Sequence, residues 1–349
     1  MNQNNIMRVF RINRLKERLA ISWDSDRPIW VIFIISSLLL LMYSEISYTN
    51  YKFPVLDLGL FNRHMFSLAN FDFSANPLKG FNLIGDHAHF FLLFLAPIYK
   101  LWPNPRLLLF VQSFAITLSL FPIYYIAKHY LKSQLAASFW VIAYFTFFGF
   151  WAALAYSFHD SPVAVLPISW ALYHLLVSKK TYKLIFWLAL LCLIREDMPM
   201  VAAMFGLYTA IFDKKWKVGS LIIIVSIAYM QIVMKYFMPL FGVAYAYNQN
   251  PFGSGFVDVV KASFLNTRAV FVELFLKPKT KLETLLLMIG SFGGLSLFAP
   301  QVLLMMAPLW AGRTLTDQYW RWSIIKHYSA SQAPFLAVSA IVGLALVAT

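Results

Sequence analysis

Two short runs near the start of the chain hold residue types that move protons and bind cations. One is Val55-Leu56-Asp57-Leu58-Gly59-Leu60-Phe61 and the other Leu83-Ile84-Gly85-Asp86-His87-Ala88-His89, within a stretch, 52–91, that carries three aspartates and three histidines between apolar segments. A carboxylate in a loop against a membrane face is partly desolvated and can take a proton as a general base, so Asp57 and Asp86 are the candidate catalytic groups. Either also suits a helix N-cap, because aspartate is common in turns in that role. Asp86, His87 and His89 offer the carboxylate and imidazole donors that zinc or manganese takes. Three ligands so close in sequence rarely suffice, and no His-Glu-x-x-His is present, so the alternative is a histidine bonded to a headgroup or a carboxylate.

Further along, Arg195-Glu196-Asp197 interrupts an apolar run. Ionisable groups at such a place mark a ligand path or an ion pair, because hydrocarbon does not tolerate them unpaired. Glu196 and Asp197 are therefore candidate substrate-binding groups, with pairing to Arg195 as the structural alternative. His159-Asp160 and His327-Tyr328 fall where apolar runs end, so they can face the same space as Asp57. Arg63, Lys79, Arg321 and Lys326 are the cations available to a negatively charged substrate group. Trp102, Tyr319, Trp320 and Trp322 have the character of an interfacial aromatic belt. The chain has neither a phosphate-cradling glycine-rich loop nor a serine-centred nucleophile motif.

The elements that must position these groups are membrane helices. Of 349 residues, 60% are hydrophobic and only 13% charged, and the mean hydropathy is +0.66, which leaves too little polar surface for a soluble domain. The apolar stretches approach the roughly 20 residues of an α-helical span rather than alternating as barrel strands do. The sequence therefore predicts an all-α, polytopic integral membrane protein, a single domain over 1–349 in the cell membrane. A lone cysteine, Cys192, excludes an internal disulfide framework. The net charge of +14 would suggest nucleic acid in a soluble protein. Here it reports orientation in a lipid bilayer, with no nucleic-acid partner implied.

Lys and Arg crowd residues 1–27, 128–132, 179–183 and 214–217, which assigns those segments, and the N-terminus, to the cytoplasm. Pro28 to Ser44 then runs outward and Lys52 to Phe91 becomes a long external loop. Phe90 to Trp102 reaches only about 20 Å and lies in the outer interface. Leu184 to Ile194 and Met198 to Phe212 read as a re-entrant hairpin with Arg195-Glu196-Asp197 at its tip. Phe241 to Glu283 is a second external loop, and a second short pair flanks Ala299-Pro300. Ala333 to Ala348 is the last span, and the lack of a basic tail after it suggests a truncated C-terminus.

The order of these motifs, Asp57-Leu58-Gly59-Leu60-Phe61, Gly85-Asp86-His87, Phe158-His159-Asp160, Arg195-Glu196-Asp197 and His327-Tyr328-Ser329, resembles a family of prokaryotic membrane proteins labelled as domain of unknown function 2079, over roughly Asp57 to Phe335. Members of that family look like distant relatives of the GT-C glycosyltransferases. The resemblance implies a GT-C-like helical bundle, Asp57 at the catalytic position in the first external loop, and a polyprenyl-phosphate-linked sugar as donor. A divalent metal, Mg or Mn, near Asp86 and His87 is optional in that scheme. A rival class is a transporter or lipid flippase, with the broken segments forming a midplane site, and a third is a membrane protein without catalysis.

Overall fold

The computed structural model describes residues 26–242, 251–253, 256–276, 278–316 and 318–348. The basic segment before residue 26, part of the loop-like 248–255 stretch and Asp317 lie outside the described residues. In chain order the helices are α1 (Arg27–Thr49), α2 (Val55–Ala69), α3 (Phe91–Leu101), α4 (Arg106–Leu131), α5 (Gln134–Ala155), α6 (Ser161–Ser178) and α7 (Thr181–Cys192). They continue with α8 (Met198–Ile211), α9 (Trp216–Phe241), α10 (Phe256–Leu265), α11 (Thr267–Phe275), α12 (Lys279–Gly290), α13 (Ala307–Thr314) and α14 (His327–Val347). Among the described residues α1, α4, α5, α6, α9 and α14 are long and apolar enough to cross a membrane. The chain is an all-α polytopic membrane protein.

The distribution of side chains on α1 shows why. Its buried face carries Ser36, Ser37, Leu40, Ser44 and Ser47, while Trp30, Val31, Ile34, Ile35, Leu38, Leu39 and Met42 point outward. A soluble helix would turn those large apolar groups inward. In lipid, small residues sit between helices because they allow close approach, and large apolar ones face the acyl chains at no cost. α9 follows the same rule, with Gly219, Ser226 and Met230 inside and Leu221, Ile224 and Val225 outside. By contrast α14 is buried on every side from Ala333 to Gly343, enclosed by α4, α5, α6 and the 295–303 segment.

Ion pairs fix the two ends of the bundle. At one end Arg106 forks onto both oxygens of Glu45, each contact at 2.7 Å, and the Asn82 amide donates to the Phe241 carbonyl at 3.1 Å. At the other, Lys128 meets Asp26 at 3.0 Å and Lys179 meets Asp213 at 2.8 Å. That second pair closes the base of the α7–α8 hairpin, whose helices of 12 and 14 residues rise about 18–21 Å to the Arg195-Glu196-Asp197 tip.

Three expectations from the sequence need correction. The 52–91 stretch is not a loop, since α2 occupies 15 of its residues. Leu58, Phe61, Met65 and Leu68 are all buried and form one helical stripe, but Asp57, Asn62, Arg63 and His64 between them dilute the apolar period. Likewise the described part of 241–283 is largely helical, in α10, α11 and the start of α12. Trp322 is buried, under the Lys281 ammonium at 4.7 Å, so it does not belong to an interfacial belt.

α8 and α9 pack closely through two glycines, Gly206 and Gly219. A Cβ on Gly219 would meet the Gly206 carbonyl oxygen at 2.5 Å and the Ala210 amide at 2.6 Å, whereas a Cβ on Gly290 would meet nothing within 4 Å. Gly219→Leu is therefore expected to destabilise the protein by at least the ~1–3 kcal/mol of a strained core. Gly290→Ala should leave thermal unfolding in detergent unchanged or slightly improved. Equal melting temperatures for Gly219→Leu and wild type would refute the close packing.

Candidate functional site

Asp57, Lys79, Asp86, His87, His159, Asp160, Asp197, Arg321, His327 and Tyr328 line one cavity of about 220 Å³. They come from α2, the 79–89 segment, the α5–α6 turn, the hairpin tip and the stretch leading into α14. Glu196 lies directly behind the wall, bonded to His87. Two other residues named from the sequence do not line it either. Arg63 pairs with Asp72 at 3.6 Å on the outer face of α2, and the Lys326 ammonium donates to the Tyr156 hydroxyl at 2.6 Å. His89, which the sequence offered only as a metal donor, and Arg195, offered only as a pairing partner, line the cavity as well, as does Arg313, which escaped the sequence reading as a binding group. For Arg313 the signal was there, since it closes an apolar run.

Local structure explains each placement. Asp57 stands in the first turn of α2, behind Pro54 at the N-cap position, where a carboxylate is favoured by the helix dipole. Asp86 ends a single helical turn, Leu83–Asp86, that Asn82 caps through a 3.0 Å bond from the Ile84 amide. Neither aspartate is thus an N-cap. Gly85 suits that turn because a Cβ there would press on the Phe241 carbonyl at 3.0 Å and the Gly242 amide at 3.1 Å. The α5–α6 turn is clamped by Gln112, whose Nε2 donates to the Ser157 carbonyl at 3.1 Å and whose Oε1 accepts from the His159 amide at 2.8 Å. The clamp restrains Ser157 at φ 84, a conformation costing a non-glycine residue about 1–3 kcal/mol. Gln112 lies six residues inside the Arg106 end of α4, so this part of the floor sits roughly 9 Å below that end.

Several charges at that depth are paired. Arg195 forks onto both oxygens of Asp197, with Nε at 2.7 Å, and its Nη1 lies 3.7 Å from Asp160. His89 Nδ1 approaches Asp160 at 2.9 Å, close enough for an ion pair though not aligned as a hydrogen bond. Burial pushes the Asp160 carboxyl up, but Arg195 and His89 together hold it well below the usual range. Glu196, 1% exposed, accepts from the Ala88 amide at 3.0 Å and contacts His87 Nδ1 at 2.8 Å. Lys79 holds Asp86 at 3.0 Å.

Around Asp57 the partners are different in kind. His159 Nε2 is 3.9 Å away, and burial keeps that imidazole neutral, pushed down to about 4. His159 stacks on His327 at 3.8 Å between ring centres. Burial and the Asp57 charge push the neighbouring Tyr156 hydroxyl up to about 12, so it remains a donor. Asp57 is the cavity carboxylate without a lysine or arginine within 4 Å among the described residues. No group of three or more His, Cys, Asp or Glu side chains that could hold a metal ion is found among them either. Asp86 and His87 are taken up by Lys79 and Glu196, so the optional Mg or Mn finds no donor set there among the described residues.

The His87–Glu196 pair sets a pH dependence. Burial lowers the His87 imidazole, but Glu196 and Asp160 outweigh it and raise it above its ordinary 6.5. Glu196 is raised by burial and lowered more by His87 and Arg195, ending below 4.5. The imidazole's share of stability is complete below pH 6.5 and is lost as pH rises through the raised value. The carboxylate's share is complete above 4.5 and is lost as pH falls through the lowered one. Wild type should therefore exceed Glu196→Gln by ~1–3 kcal/mol near pH 5.5. The gap should shrink by pH 9, measured by unfolding in detergent. A gap independent of pH would show that the pair is not ionised.

Residues 52–348 match the family model described as predicted membrane protein (DUF2079). No curated protein and no solved structure matches the chain. The family match takes in every residue of the cavity, and the chain belongs to this family of predicted membrane proteins, DUF2079.

Proposed function

We propose that the cavity is the active site of a GT-C-like membrane glycosyltransferase that moves a sugar from a polyprenyl-phosphate donor to a hydroxyl acceptor. The observation that carries this reading is Asp57. Among the described residues every other carboxylate at the cavity has a cation or an imidazole against it, whereas Asp57 has no lysine or arginine within 4 Å and faces a neutral imidazole and a phenol, with the Lys326 charge acting on it only from behind that phenol. A carboxylate so placed is oriented without being neutralised, which suits a general base. In the proposed step Asp57 takes the acceptor hydroxyl proton, the oxygen bonds to the anomeric carbon, and the bond from that carbon to the phosphate oxygen breaks. The phosphate leaves with the electron pair, towards the cationic side chains of the cavity. His159 and Tyr156 are positioning residues for Asp57. A cavity floor recessed within the bundle suits a donor whose lipid anchor stays in the bilayer.

Charge distribution supports an external site. The end opposite the cavity gathers Lys128, Lys132, Lys179, Lys180, Lys183, Lys214, Lys215 and Lys217 around Asp26 and Asp213, the pattern of a cytoplasmic face. The N-terminus would then be cytoplasmic in the cell membrane. A transporter or flippase is the second reading, favoured by the half-length α7–α8 hairpin that brings its charged tip to the cavity. Proteoliposomes containing labelled polyprenyl-phosphate sugar separate the two, since transfer consumes the donor and transport only relocates it.

Asp57→Asn decides the role of the carboxylate. The amide keeps the shape but cannot take a proton, so turnover should fall ~10²- to 10⁴-fold, mainly in kcat, with expression and donor binding near wild type. Wild-type turnover in this variant would remove Asp57 from the mechanism.

A further inference from the structure

The cations of the cavity are not all answered. Lys79, Arg195 and His87 have their carboxylates, but neither Arg313 nor Arg321 lies within 4 Å of one among the described residues. Arg313 is only 2% exposed. Its Nε donates to the Arg321 carbonyl at 2.8 Å, Nη1 to the Ser329 hydroxyl at 3.0 Å, and Nη2 to the Ser323 carbonyl at 2.8 Å. All three acceptors are neutral. Trp310, with its ring centre 5.7 Å from the guanidinium carbon, offers only a fraction of a counter-charge. Burial pushes this guanidinium down to about 9.

A purely structural role accounts for part of this, since Arg313 ties the 321–329 stretch to α13. It does not account for the charge. Neutral donors could make the same bonds, whereas a buried ion with no partner is costly. Two further observations lie beside it. The Arg321 Nε is buried with no acceptor among the described residues. Gly312, on the cavity wall, has open space in front of it, with nothing within 4 Å of where a Cβ would stand.

We propose that Arg313 and Arg321 form the anion subsite of the cavity and take a phosphate group. Arg313 supplies a fixed charge and holds the Arg321 backbone in place, while Arg321 supplies donors to the phosphate oxygens in the forked geometry that guanidinium favours. The subsite deepens the reading given above, and rests on it for the idea that the phosphate belongs to a lipid donor. It replaces Arg63 and Lys326 as the residues that receive the departing phosphate.

The test measures binding of farnesyl phosphate, farnesol and inorganic phosphate to the full-length protein in nanodiscs, without turnover. Wild type should bind farnesyl phosphate at least tenfold more tightly than farnesol, a difference of about 1.4 kcal/mol. Arg321→Gln, at a half-exposed position, and Arg313→Lys should each lose about tenfold for farnesyl phosphate and little for farnesol. Asp57→Asn should bind as wild type. Inorganic phosphate binding as tightly as farnesyl phosphate would overturn the lipid source. Equal affinity of wild type for farnesyl phosphate and farnesol would overturn the subsite, as would unchanged binding in Arg321→Gln. The two proposals fail separately. Arginine variants that bind normally, with Asp57→Asn inactive, sink the subsite alone; the converse pattern sinks the general base alone.

Discussion

An ionised side chain below the membrane surface must find a partner, and much of the cavity end follows from that constraint. Arg195 satisfies it through Asp197 beside it and Asp160 across the bundle. Glu196 satisfies it through His87 and the Ala88 amide. These contacts join the α7–α8 tip, the α5–α6 turn and the 86–89 segment, three regions far apart in sequence. Removing one member of such a set strands the others in low dielectric, which costs more than the pairing contributes to stability. The charges therefore act chiefly as constraints on which segments may meet, and the apolar packing below them stabilises the result.

That constraint also sorts structural from reactive groups. Where a carboxylate is matched by a fixed cation, as Asp86 is by Lys79, its electrons are committed. Asp57 is held instead by the start of a helix, a stacked imidazole and a phenol, partners that orient a carboxylate without cancelling its charge. The Arg313 guanidinium is the opposite case, a cation immobilised by carbonyl and hydroxyl oxygens. The cavity thus keeps its unmatched negative and positive charges on different side chains.

Much of this was legible in the sequence. The spans follow from apolar runs of membrane length, and Arg195-Glu196-Asp197 was conspicuous because charges interrupt such a run. Asp57, Asp86, His159 and His327 could be named from their places at the ends of those runs, and the structure brings them to one cavity. Partners were harder to read. Nothing local in the sequence tells that Lys79 reaches Asp86, that Lys326 turns to Tyr156, or that Arg63 faces outward to Asp72, because a long flexible cation chooses among acceptors by tertiary geometry. α2 was missed as a helix because Asp57, Asn62, Arg63 and His64 interrupt its short stripe of Leu58, Phe61, Met65 and Leu68 on several sides, His64 being itself buried.

The burial of α14 on every side from Ala333 to Gly343 has a consequence for biogenesis. α4, α5, α6 and the 295–303 segment, which enclose it, all emerge from the ribosome earlier. The bundle must therefore wait with its central slot open to lipid or solvent until α14 arrives, and insertion of that one helix closes the core. His327 and Tyr328 ride at its leading end, so the wall of the cavity is completed in the same event. A nascent chain lacking α14 would present an open groove of polar and apolar surface, a natural substrate for membrane chaperones and quality-control proteases.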